Sequence, residues 1–238
     1  MKTPNLNLLW IGLLSLGIGI VPAMGGPVLF SDLGTGANVY NCCVGWTVSG
    51  MASGVGRFSA ATPFPVAGSG SIAVGQIDLA VGNSQGLNTF TASIWTNSAG
   101  LPGVQVAGAF WSLSTSTVAG SCCGLVSIAG ITGVSLTGGQ QYFMVLSPVS
   151  VADSSLNVWN ENTQGVTGLQ LFSTDGGATW KDIGTQKLAA FDVLGVDAAP
   201  EPGSLILLGT GMIGILCAGR RMAKRIAGEK MGSRGSAI

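Results

Sequence analysis

Through the middle of the chain apolar and polar residues alternate in short runs, and each run stops at residues that favour turns. Thr89 to Thr96 places Phe90, Ala92 and Ile94 on one side and Thr89, Thr91 and Ser93 on the other, the period-two pattern of a half-buried strand. Ser71 to Val81 alternates as well, but its phase slips at Gly75-Gln76, which predicts a bulge. Asn97 to Gly103 is dense in turn residues, so Thr89 to Thr96 and Val104 to Leu113 are expected as a hairpin or a neighbouring pair. Further strands are predicted at Leu125 to Ile128, Val134 to Leu136, Gln140 to Leu146, Leu156 to Trp159, Thr167 to Phe172 and Leu188 to Val196. No interval carries a convincing amphipathic helix. Roughly eight to ten such strands suit an all-β fold, two antiparallel sheets packed face to face with jelly-roll-like connections.

The two ends break this rhythm. Lys2, the apolar stretch Leu6 to Val21 and the small-x-small step Ala23-Met24-Gly25 have the three parts of a secretory signal peptide, expected to be cut near Gly25-Gly26. Near the other end Gly203 to Gly219 holds no charge, and Arg220, Arg221, Lys224 and Arg225 follow. As a helix the run would rise about 25 Å, just enough to cross a bilayer's hydrocarbon. The cations would hold its far end on the cytoplasmic side, leaving everything before it outside. Pro200-Glu201-Pro202 stands at the outer boundary, where two prolines keep the backbone extended and reachable. The expected organisation is a signal peptide over 1–25, an exported domain over 26–198, a sorting segment over 199–226 and a cytoplasmic tail over 227–238.

Splitting the chain changes the meaning of its formal net charge of zero. Between Gly26 and Ala199 the cations are Arg57, Lys181 and Lys187, against Asp32, Asp78, Asp153, Glu161, Asp175, Asp182, Asp192 and Asp197, a balance of −5. A mildly acidic domain lacks the basic footprint that a phosphate backbone demands, which argues against nucleic acid as a partner. The 39 glycines and a charged fraction of only 8 % favour a turn-rich β-protein over a helical one.

Pro-Glu-Pro, a short Gly/Leu-rich apolar segment and a basic cluster, in that order, resemble the PEP-CTERM sorting signal of Gram-negative bacteria, many of which make exopolysaccharide. The resemblance implies processing by an exosortase after signal peptidase and the secretion machinery, with only transient residence in the inner membrane. Pro200, Glu201 and Pro202 would be the recognised tripeptide, with Arg220, Arg221, Lys224 and Arg225 as the internal stop. Two departures are the interruption of the cluster by Met222-Ala223 and the tail from Ala227 to Ile238. A second resemblance rests on Gly45-Trp46-Thr47, Ser93-Ile94-Trp95, Gly100-Leu101-Pro102-Gly103, Leu136-Thr137-Gly138-Gly139 and Val158-Trp159-Asn160. It is to the choice-of-anchor exported modules, β-rich domains mostly without an assigned activity.

The chain has no histidine, which removes the usual general base and any Ser-His-Asp arrangement. A glycosidase can run on two carboxylates, and Asp153 with Glu161 or Asp175 with Asp182 are the pairs considered, each more simply read as solubilising or turn residues. Ser173-Thr174-Asp175-Gly176-Gly177-Ala178-Thr179-Trp180 fits the Asp-box pattern through Ser173, Asp175, Gly177 and Trp180, a hairpin device rather than a catalytic one. Cys42-Cys43 and Cys122-Cys123 allow two vicinal bonds or either of two cross-pairings; cross-links are favoured, and metal binding by the thiolates is the rival. Trp95 and Trp159 head the candidates for stacking on sugar rings. No enzyme activity, cofactor or metal is expected. The sequence-based reading is an exported surface or matrix protein associated with exopolysaccharide, with a carbohydrate-binding module as the alternative.

Overall fold

The computed structural model describes residues 26–36, 39–115 and 118–196. The signal peptide and the membrane segment expected from the sequence lie outside the described residues, and no helix among those described is long and apolar enough to cross a membrane. Fourteen strands are present, all paired antiparallel, with one 3₁₀ turn at Met51–Ser53 as the only helical element among the described residues. They run β1 Val28–Ser31, β2 Asn41–Ser49, β3 Ser59–Pro65, β4 Ser71–Leu79, β5 Val81–Gln85, β6 Thr89–Ser98 and β7 Leu101–Ser114. Then follow β8 Val126–Ala129, β9 Ser135–Thr137, β10 Gln141–Ser147, β11 Leu156–Glu161, β12 Thr167–Ser173, β13 Lys181–Lys187 and β14 Phe191–Gly195.

One layer is a continuous sheet in the order β13-β12-β3-β10-β6-β7. The other consists of two sheets, β1-β14-β4-β8 with β9 also on β4, and β2-β11-β5. That division departs from the two sheets expected from the sequence, and it falls where β4 gives way to β5 at Ala80. There the backbone closes a triangle: Ala80 donates to Ala190 at 3.1 Å, Ala190 to Asn160 at 2.7 Å, and Asn160 to Ala80 at 2.8 Å. The strands continue one another in direction but exchange partners.

Between the layers lies the main core. Phe64, Phe90, Ile94, Met144 and Leu146 come from the six-stranded sheet, and Ile77, Leu79, Phe191, Val193, Val81 and Trp159 from the opposite layer. Its aromatic centre is a chain of rings, Phe30 to Phe64 at 5.5 Å, Phe64 to Phe191 at 5.4 Å and Phe191 to Trp159 at 5.7 Å. Alternation along the same strands sends a second apolar set to the outer face of the six-stranded sheet, where Ala61, Phe143, Val145 and Leu171 are covered in part by Trp95, Leu169 and Trp180.

Two local features follow from chemistry rather than pattern. Gln76 pairs with Leu194 and Val74 with Gly195, so Gly75 is an extra residue in β4 and forms the bulge its phase slip predicts. β3 carries Pro63 and Pro65 although it lies inside the sheet. β12 pairs only with Ser59 to Ala61, and past that point β3 is flanked by β10 alone, so the prolines break no rung on the β12 side.

Candidate functional site

Three constructions stand out on this frame. The first ties the two cysteine doublets together. Cys42 is bonded to Cys123 and Cys43 to Cys122, a crossed pair spanning 81 and 79 residues of sequence. Cys43 has φ of 64°, the turn that lets neighbouring cysteines of β2 reach the same loop. The loop bearing Cys122 lies directly on β5, and a side chain at Gly82 would collide with the Cys122 backbone. Asn160 locks the arrangement: its amide donates to Cys122 O at 3.0 Å and Ala80 O at 3.1 Å, while its oxygen accepts from Cys43 N at 2.8 Å. The sulfurs are close together, with Cys43 Sγ 3.5 Å from Cys123 Sγ, and as disulfides they are not the thiolates that a metal would require.

The second is the hairpin turn between β12 and β13. Ser173 Oγ accepts from Gly177 N at 2.8 Å and donates to Asp175 at 2.7 Å; Asp175 accepts from Thr179 N at 2.9 Å and Thr179 Oγ1 at 2.6 Å. These bonds from Thr179, and then from Ser173, hold the Asp175 carboxyl well below the usual carboxylate range. Gly176 has φ of 81°, and any side chain there would meet the Arg57 guanidinium. Trp180 leaves the turn to pack on the outer apolar cluster.

The third is an open cleft of about 570 Å³ beside the edge of the three-stranded sheet, between β2 and β11 on one side and β3, β12 and β13 on the other. Trp46, Phe58 and Phe172 line it with Leu156, Val158 and Ile183. Phe58 and Phe172 lie 6.2 Å apart, and Lys181 Nζ stands 6.0 Å from the Phe172 ring centre. Trp46 is oriented by its ring nitrogen, which donates to Lys187 O at 3.2 Å. Three aromatic rings facing one open concavity can hold a flat or apolar body.

The two tryptophans singled out from the sequence fare differently. Trp159 is fully buried, with its ring on Phe191 and its nitrogen donating to Ala190 O at 3.2 Å, so neither face is open to a sugar; as a stacking residue it is corrected to a core residue. Of the apolar residues of β11, Trp159 points to the centre of the sandwich while Leu156 and Val158 line the cleft, which a count of tryptophans along the chain does not reveal. Trp95 is half-buried on the outer face, its nitrogen donating to Ser93 Oγ at 2.8 Å. Trp46 belongs to the cleft, and nothing in its local sequence sets it apart from the other tryptophans.

The carboxylate pairs do not assemble. Asp153 precedes β11 and accepts from Ser155 N at 2.8 Å, while Glu161 ends the same strand. β11 alone separates them by about 17 Å at roughly 3.4 Å per residue, too far for a glycosidase pair. Asp175 is engaged in the turn, and Asp182 accepts from Gly184 N. A different acid stands out. Asp32 is buried beside Phe191 N, which donates to it at 2.7 Å, and burial, reinforced by the Asp192 charge, pushes its pKa up to about 8. Asp192 is raised as well, first by burial and then by Asp78 across the strand pair.

Two disulfides on an antiparallel β-domain place the molecule in the class of proteins that mature in an oxidising compartment. Comparison with protein-family models makes that specific: residues 198–221 match the PEP-CTERM protein-sorting motif. The motif implies exosortase processing, export through the secretion machinery and a surface or extracellular destination. Pro200, Glu201, Pro202, Arg220 and Arg221 fall within the match, Lys224 and Arg225 beyond it, and all lie outside the described residues. No curated protein matches the chain. Among solved structures, the chain is similar to the cysteine protease and lectin-like domains of Cwp84, a surface layer associated protein of Clostridium difficile, at 13 % identity and a TM-score of 0.38. The similarity covers 59 % of this chain and 32 % of that one, so the chain spans about a third of that protein's length, and no activity is carried across.

Proposed function

We propose that the sandwich is the cargo of its sorting motif, a non-catalytic structural component of the cell surface or extracellular matrix associated with exopolysaccharide. One observation carries the reading. The last strand ends at Gly195 and the matched motif begins at residue 198, so the folded domain is joined to its sorting signal with almost no linker. The low charge and the disulfides suit a molecule that must persist outside the cell. Mass spectrometry of the mature protein tests it: the expected product lacks the segment after the Pro200-Glu201-Pro202 region and is found at the surface or in the medium. An inner-membrane product that still ends at Ile238, unchanged by deletion of the exosortase, would refute it.

A second reading is favoured by the cleft, where Trp46, Phe58 and Phe172 offer ring faces to a sugar. Isothermal titration with the host polymer separates the two. Saturable heat that disappears in Trp46→Ala makes the domain a carbohydrate-binding module; absence of heat leaves the structural role.

A further inference from the structure

Among the described residues the six-stranded sheet ends in two edge strands of opposite character. β13 carries Lys181, Asp182 and Lys187 in seven residues, and its register against β12 is broken between Leu169 and Leu171. Charge and irregularity of this kind keep an edge strand from pairing with another chain. β7 has neither protection along its second arm. Its fourteen residues contain no charged side chain, and among the described residues it pairs with β6 alone. Opposite Ile94 the residues from Val106 to Ala109 leave the ladder, dividing β7 into Leu101–Gln105 and a regular arm from Phe110 to Ser114. Val104 is 73 % exposed, Phe110 52 % and Leu101 42 %.

The neutrality extends beyond the strand. From Leu79 to Ala152 the sequence has no Asp, Glu, Lys or Arg, and this stretch supplies β5 to β10. All the charges of the described domain lie on the remaining strands and their loops. Two copies of an acidic domain repel one another except where carboxylates are missing, and the β7 side is where they are missing. An antiparallel edge is also complementary to itself under a twofold rotation, because each strand offers the other the same row of donors and acceptors.

We propose that β7 is a self-association surface: the arm from Phe110 to Ser114 pairs antiparallel with the same arm of a second copy, extending the sheet across a twofold axis at Ser112 with Phe110 of each copy covered beside Ser114 of the other. The inference is independent of how the chain is sorted.

The test is sedimentation velocity of the full chain in detergent over a range of concentrations, with Phe110→Lys and, as a control on the opposite edge, Ile183→Lys. Because the pairing sets Phe110 opposite Ser114 of the second copy, Phe110→Lys removes an apolar contact and places a charge at each end of the joint, and it is expected to weaken the dimer by roughly tenfold or more. Ile183→Lys is expected to leave it unchanged. Amide exchange of the unaltered protein provides a second measurement, with the alternate amides of Phe110 to Ser114 that face away from β6 slowing as concentration rises. A monomer at every concentration, a dimer indifferent to Phe110→Lys, or exchange that does not depend on concentration would each overturn the proposal.

Discussion

In the six-stranded layer, strand follows strand from β13 to β7 through backbone ladders, whereas the opposite layer is broken at Ala80, where three backbone bonds are reinforced by a side-chain amide. Asn160 spans the break, and it is one of four fully buried asparagines that brace the strands and turns around the three-stranded sheet. Asn83 donates to Leu87 O at 2.9 Å and to Asn157 at 3.0 Å; Asn157 donates to Thr89 O at 2.9 Å; Asn162 bonds Val166 and Leu188. Asn160 and the crossed disulfides lie at the break itself, and the other three secure the strands and turns beside it. A side-chain amide offers two donors and an acceptor and can therefore satisfy backbone groups that have lost their strand partner. A layer repaired this way depends on single residues, while a laddered one spreads its stability over many.

The largest expected effect is covalent. Replacing Cys42 and Cys43 by serine, or reducing both bridges, should cost about 4 kcal/mol in the loop-entropy picture. The two bonds close nearly the same loop, so the second should add little to the first. Denaturant titration of oxidised and reduced protein measures this, and equal midpoints would mean that the bridges do not hold the split layer. Next comes Asn160→Ala, which strips partners from Cys43 N and Cys122 O and weakens the hold on Ala80 O. It should cost about 3 kcal/mol, against about 1 kcal/mol for Thr91→Val in the laddered sheet. Similar losses at the two sites would erase the contrast between the layers.

A smaller effect should be visible in pH dependence. Asp32 holds its proton in the folded state up to about pH 8 and in the unfolded chain only to the ordinary carboxylate range. Its contribution is therefore full below the ordinary value and is lost as pH rises through 8, so the thermal midpoint should fall between pH 5 and pH 9. Asp32→Asn should flatten that fall, and an unchanged slope would assign it to other groups. The smallest effect belongs to Asp175→Ala, which should speed amide exchange at Thr179 without moving the global midpoint. Because the folded Asp175 titrates well below its ordinary range, the protection at Thr179 should survive acidification to about pH 4 in the unaltered protein.

Alternation made much of the laddered sheet legible. Phe90, Ala92 and Ile94 face the core as their spacing requires, and Gln140 to Leu146 lies within one residue of β10. The five strands left unpredicted each hide for a physical reason. β13 is nearly all polar because it is an exposed edge; β3 contains two prolines; β1 has four residues; β2 carries the cysteine doublet; β5 after Val81 is Gly-Asn-Ser-Gln, which reads as a turn. The cleft was not legible, since Trp46, Phe58 and Phe172 meet only after β2, β3 and β12 are placed. The joining asparagines had a faint signal in the run Asn157-Val158-Trp159-Asn160-Glu161-Asn162, where a residue disfavoured in strands recurs inside one. The Asp-box turn was the part of the site most readable from local sequence, because its hydrogen bonds are all made within seven residues of chain.

The crossed bridges also bear on the direction of travel. A polypeptide threads a translocation pore as a single extended strand, and one stapled to itself across some 80 residues can no longer do so. On such a route the bridges at Cys42, Cys43, Cys122 and Cys123 would have to close after passage rather than before it.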